Sequence, residues 1–86
     1  MTFQGSLIKE QGVTFAIVVV KRSALSNQSE AQSVINSFRR IFPGVPIVLM
    51  AQDGQGVPTY YGRQDIVKFL AHVPMAAIPW KEYTVN

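Results

Sequence analysis

Tyr60-Tyr61-Gly62-Arg63-Gln64 is the stretch of this chain whose residue types come nearest to a binding site. Adjacent tyrosines on a strand leave by opposite faces, so one of Tyr60 and Tyr61 is expected at the surface. Arg63, with the free N–H groups of a helix beginning beside it, supplies positive charge for an anionic group. Tyr60, Tyr61 and Arg63 therefore form the candidate ligand-binding set.

Catalytic chemistry finds less support. His72 is the single histidine, hence the one side chain with an ordinary pKa near neutrality. It falls about 100° off the apolar stripe of its helix, on the side of Lys68 and Asp65, as a solvated residue would. Glu30 and Asp65 occupy first helical turns, Asp53 a loop, Glu10 the rim of another, and Glu82 the C-terminal segment. No two share a spacing suited to a common proton or a metal. Ser23, Ser26, Ser29, Ser33 and Ser37 crowd the first helix and its approach, where hydroxyls act as caps. Cysteine is absent, which excludes disulfides, thiolate catalysis and thiolate metal sites. Gly54-Gln55-Gly56 resembles a phosphate loop only superficially, because it joins two strands instead of leading into a helix. No catalytic residue, metal or cofactor is expected.

Eighty-six residues make one small domain with a thin core. The chain is 48% hydrophobic and 15% charged, with a formal net charge of +3. Its basic residues are scattered as Lys9, Lys21-Arg22, Arg39-Arg40, Arg63, Lys68 and Lys81. Nucleic-acid binding normally concentrates them on one face, so it is disfavoured, a weak contact through Lys21, Arg22, Arg39 and Arg40 being the form left to it. Met1-Thr2-Phe3-Gln4-Gly5 has neither the basic nor the apolar part of a signal peptide. No apolar run approaches the ~20 residues that span a bilayer. A cytoplasmic protein with no membrane contact is expected.

The elements that hold these residues can be read from periodicity. Val13-Thr14-Phe15-Ala16-Ile17-Val18-Val19-Val20 is apolar on both faces of a strand, which places it centrally in a sheet covered above and below. Residues 2–9 and 13–21 form a hairpin across Glu10-Gln11-Gly12. Asn27 caps a helix carrying Ala31, Val34, Ile35, Phe38 and Ile41 at helical spacing, with Arg39-Arg40 in its last turn and Phe42-Pro43-Gly44 as its stop. Residues 45–51 are a buried strand, parallel to 13–21 through that helix. Residues 57–61 return antiparallel, at an edge because Pro58 cannot donate to a ladder. Gly62 opens a second helix with Asp65 in its first turn and Ile66, Phe69, Leu70 and Val73 as its stripe, ended by Pro74. Residues 75–86 form a tail too apolar for solvent, packing on the body formed by residues 1–74 or on another subunit.

The expected fold is α+β, ββαββα, with a mixed four-stranded sheet in a two-layer sandwich. Its last three elements resemble the C-terminal part of the thioredoxin fold. Pro46 opens a strand, Asp53-Gly54 makes a tight turn, Gly62 breaks the edge strand, and residues 63–73 are the closing helix. The likeness covers about a third of the chain and is one of architecture, since the paired redox cysteines are missing. That arrangement sets both helices on one side of the sheet and leaves the other face bare unless the tail or a second subunit covers it. A bare apolar face usually marks an interface. The expectation is thus a non-enzymatic, self-associating interaction or regulatory module, a homodimer with Val18, Val20, Trp80 and Tyr83 at the contact or with a protein partner there. The alternative is a ligand-binding or enzyme accessory domain with its anion-tolerant site at Tyr60–Arg63.

Overall fold

The computed structural model describes residues 1–85. Five strands form one mixed sheet: β1 (Thr2–Glu10), β2 (Val13–Val19), β3 (Ile47–Gln52), β4 (Pro58–Tyr61) and β5 (Lys81–Thr84), in the spatial order β4-β3-β2-β1-β5. Two helices complete it, α1 (Gln28–Phe38) and α2 (Gln64–Leu70). The β1–β2 hairpin closes through Gln11 and Gly12, both at positive φ (52° and 79°). That is the turn whose twist suits two strands joined by two residues. Gly5, facing Val18 across this hairpin, is required for a different reason. A Cβ there would lie 2.6 Å from the carbonyl oxygen of Ile17.

β2 and β3 are parallel, joined through α1, with Ala16 opposite Ile47 and Val19 opposite Met50. β3 and β4 are antiparallel, and the edge position of β4 spares Pro58 a ladder bond. The Asn27 side chain accepts a 2.7 Å bond from the Glu30 N–H and so caps α1. The helix stops at Phe38, a turn earlier than its apolar spacing suggests. Bonds from Arg39 N–H to Asn36 and from Ile41 N–H to Phe38 tighten the chain there. Likewise α2 ends at Leu70, and Ala71, His72 and Val73 follow as turns.

The sheet has five strands, not four, and the molecule three layers, not two. Residues 81–84 supply the extra strand by pairing with β1, Phe3 opposite Tyr83. The helices also lie on opposite faces. Alternation along β2 divides the core in two. Ala16 and Val18 pack under α1 with Ala31, Ile35, Phe38, Ile47 and Leu49. Phe15 and Ile17 pack under α2 with Ile66, Leu70, Val48 and Met50. The face expected bare is therefore covered by the chain itself, and the case for a second subunit built on that face loses its footing. Ile78 and Trp80 extend the cover, held where Ser6 Oγ donates to the Pro79 carbonyl (3.1 Å) and Trp80 Nε1 to the Met75 carbonyl (3.1 Å).

Candidate functional site

Alternation on β4 separates the two tyrosines. Tyr61, opposite Leu49, belongs to the α1 side, and Tyr60, opposite Met50, to the α2 side. Gly62 then lets the chain fold hard against β3. A Cβ at this position would come within 3.0 Å of Val48 Cγ2 and 3.2 Å of the Ile47 carbonyl oxygen. The close approach brings Arg63 and Gln64 over the beginning of β3, facing α1. Between them lies a groove of about 340 Å3, lined by Gln28, Gln32, Ile35 and Arg39 of the helix side and by Ile47, Tyr61, Gly62, Arg63 and Gln64 of the sheet side. Tyr61 and Arg63 thus share one site, and Tyr60 is excluded from it by the sheet.

Charge in the groove is uneven. Arg63 grips Asp65 through two bonds of 2.7 Å, Nε to Oδ1 and a terminal nitrogen to Oδ2. The hydrogen bond from Arg63 holds the Asp65 carboxyl below its ordinary range, and the same bond raises the Arg63 guanidinium. The start of α2 is thereby occupied by its own carboxylate. Among the described residues this is the one ion pair. Arg39, whose Nε donates to Asn36 Oδ1 at 3.0 Å, has a neutral amide for a partner and keeps its charge for the groove. The described residues lining it include no carboxylate and no histidine. They offer hydrogen-bond donors and positive charge, the chemistry of holding an anion and not of moving a proton.

A second depression of about 440 Å3 lies on the same α1 side, further along β4, lined by Arg22, Ser23, Leu25, Ser26, Ala51 and Thr59. Thr59 of this depression and Tyr61 of the groove are alternate residues of one strand, about 7 Å apart. The two hollows therefore flank β4 in sequence, with Arg22 at one end and Arg39 and Arg63 at the other.

Comparison with known proteins returns no match, whether to a family model, a curated protein or a solved structure. Geometry alone carries the functional reading.

The remaining residues singled out by sequence fall elsewhere. His72 is exposed in the turn after α2. Asp53 accepts bonds from the Gln55 and Val57 N–H groups (2.8 and 2.9 Å). Those two backbone donors, Val57 first, lower its pKa. Gly54 and Gly56 belong to that β3–β4 turn, as hairpin chemistry requires. Among the described residues no three His, Cys, Asp or Glu side chains gather as a metal site would need, and no helix is long and apolar enough to cross a membrane. Val18 is wholly buried under α1. Val20 and Tyr83 are partly buried on that side and Trp80 on the other. Arg39-Arg40 follow α1 directly, whereas Lys21-Arg22 precede it by a 3-10 turn at Arg22–Leu25.

Sequence reasoning named Arg39 for a weak nucleic-acid contact only, not for this groove, and missed Gln28 and Gln32. Arg39 reads locally as a helix-end cation answering the dipole. The usable signal was the spacing of Gln28, Gln32, Ile35 and Arg39, which sets them on one side of α1.

Proposed function

We propose that the chain is a binding module whose groove between α1 and β4 takes a ligand bearing an anionic group. The observation that carries this reading is the arrival of Arg39, without a carboxylate partner among the described residues, in one groove with Arg63 and Tyr61. Arg39 makes the first contact with the anion. Arg63 adds a planar donor when Asp65 yields it, and the amides of Gln28, Gln32 and Gln64 supply orientation. Tyr61 and Ile47 give the apolar floor that such sites usually pair with a few placed polar groups.

Thermal shift tests the reading with inorganic phosphate, citrate and a glutamate-rich peptide as probes. A ligand at a hundredfold excess over its Kd raises the melting temperature of so small a domain by on the order of 10 °C or more. The expected result is a rise with at least one probe that Arg39→Gln abolishes and Lys9→Gln, on β1 and outside both hollows, leaves. Absence of any rise, or a rise that survives Arg39→Gln, overturns it. A rise that decays steeply with salt and follows Lys21 and Arg40 as closely as Arg39 instead marks diffuse phosphate attraction of the nucleic-acid kind.

A further inference from the structure

Resting on that reading of the groove, we infer that the ligand is an extended peptide segment with carboxylate side chains, which docks beside β4 as a sixth strand. β4 is an edge, and its ladder with β3 sets the direction of its backbone groups. The Asp53 N–H bonds to the Val57 carbonyl at 3.0 Å, and the register runs Ala51–Thr59 and Leu49–Tyr61. Backbone groups alternate along a strand, so Val57, Thr59 and Tyr61 turn theirs inward to β3. On the other side, the Met50 carbonyl accepts from Val20 in β2, consistent with the non-bonded pairing of Met50 and Tyr60. Pro58 and Tyr60 therefore turn theirs outward. Pro58, having no N–H, loses nothing by this. The edge offers the Pro58 carbonyl and both the N–H and the carbonyl of Tyr60, a short template for strand addition.

The chemistry of the occupant follows from what stands beside this template. A strand lying along β4 sends alternate side chains to the α1 side, past Thr59 and Tyr61. There it meets Arg22 at one end and Arg39 with Arg63 at the other. Two carboxylates near these ground the charge only in part. Asp65 is paired with Arg63, and Asp53, whose field reaches Arg22, is already held by two N–H groups. A second copy of β4 could form the same backbone bonds, centred on Tyr60 against Tyr60. It would, however, bring a second set of Arg22, Arg39 and Arg63 to the same side of the sheet, like charge facing like. Carboxylates in alternation suit the strip better. The opposite edge is less inviting, for β5 carries Lys81 and Glu82 in succession, the kind of charge that guards an edge against pairing.

The test uses the isotope-labelled full chain, observed by amide NMR, with acetyl-(Glu-Val)3-amide as probe. Two isomers of the peptide carry N-methyl groups, one on the valines and the other on the glutamates. Each removes the donors along one edge of the probe and leaves the other edge intact. The expected result is a shift and slowed exchange of the Tyr60 amide, binding by one methylated isomer and loss of it by the other, and weakening of both active peptides by Arg39→Gln. Equal binding by the two isomers, still dependent on Arg39, leaves the anion groove standing and removes the sixth strand. Binding by phosphate or citrate with none by the peptide at millimolar concentration has the same meaning. No binding by any probe overturns both. Slowed exchange at Tyr60 that grows with protein concentration alone assigns the edge to a second copy and overturns the peptide.

Discussion

The two faces of the sheet are covered by different means. Over one lies α1, eleven residues with a side-chain cap at its start, backed by a cluster of rings: Phe3 to Phe38 at 4.9 Å, Phe3 stacked on Tyr83 at 5.1 Å, and Phe42 to Tyr83 at 5.3 Å. Over the other lies α2, seven residues without a side-chain cap, helped by a 3-10 turn at Met75–Ala77 and by Ile78 and Trp80. A short helix suffices on the second face because distant side chains arrive to finish the work. The comparison teaches that the cover of a sheet face is a matter of apolar area, wherever in the chain it originates.

Truncating one core residue on each side sharpens the contrast. Phe38→Ala removes a ring that touches Phe3 and should cost about 3–5 kcal/mol, while Ile17→Ala, under the shorter helix, should cost about 2–3 kcal/mol because α2 can settle toward the hole. Denaturant melts giving the opposite order would show that α2 is the more rigidly held of the two covers. A smaller effect with the opposite sign is expected at Tyr60, on the α2 side. Its hydroxyl is buried without a hydrogen-bond partner, and burial raises its pKa. Tyr60→Phe relieves that desolvation and should stabilise by about 1 kcal/mol, a gain that would be absent if the hydroxyl found a partner in solution. His72→Ala, at an exposed turn of the same side, should move stability by less than about 0.5 kcal/mol. A larger change there would mean that the turn after α2 helps to hold the face.

Much of this architecture was legible in the residues. The doubly apolar run at 13–20 required cover on both faces, and both faces have it. Asn27 announced α1, Gln11-Gly12 the hairpin, and Pro58 an edge. Local signals of that kind act within one element and so survive without knowledge of the rest. The side on which α2 packs was not legible. It depends on how Gly62 turns the chain at the end of β4, a consequence of contact with Val48 and Ile47. The fifth strand was missed because Lys81-Glu82-Tyr83-Thr84 has one partly buried residue and two charges, too weak an alternation to announce a strand before β1 is placed beside it. At the candidate site, Tyr61 and Arg63 could be read as neighbours in sequence. Arg39 could not, since 24 positions and two strands, β3 and β4, separate it from Arg63 and only the tertiary fold closes the gap.

The bonds between the first and last described residues have a consequence in time. The Met1 amino group donates to the Val85 carbonyl at 2.8 Å, and the Val85 N–H donates to the Met1 carbonyl at 2.8 Å, across a separation of 84 residues. The β1–β2 hairpin closes over two residues, so it can form within microseconds. The β1–β5 clasp must gather the whole intervening chain before it is rewarded, and loop closure of that length is entropically the most demanding in the molecule. During synthesis, β1 must therefore wait with one edge unpaired until residue 84 has emerged, and the second face waits with it for Trp80. Pulsed amide labelling during refolding should find the β1 amides that face β2 protected ahead of those that face β5. Simultaneous protection would mean that the clasp forms along with the hairpin, before the rest of the sheet has been built.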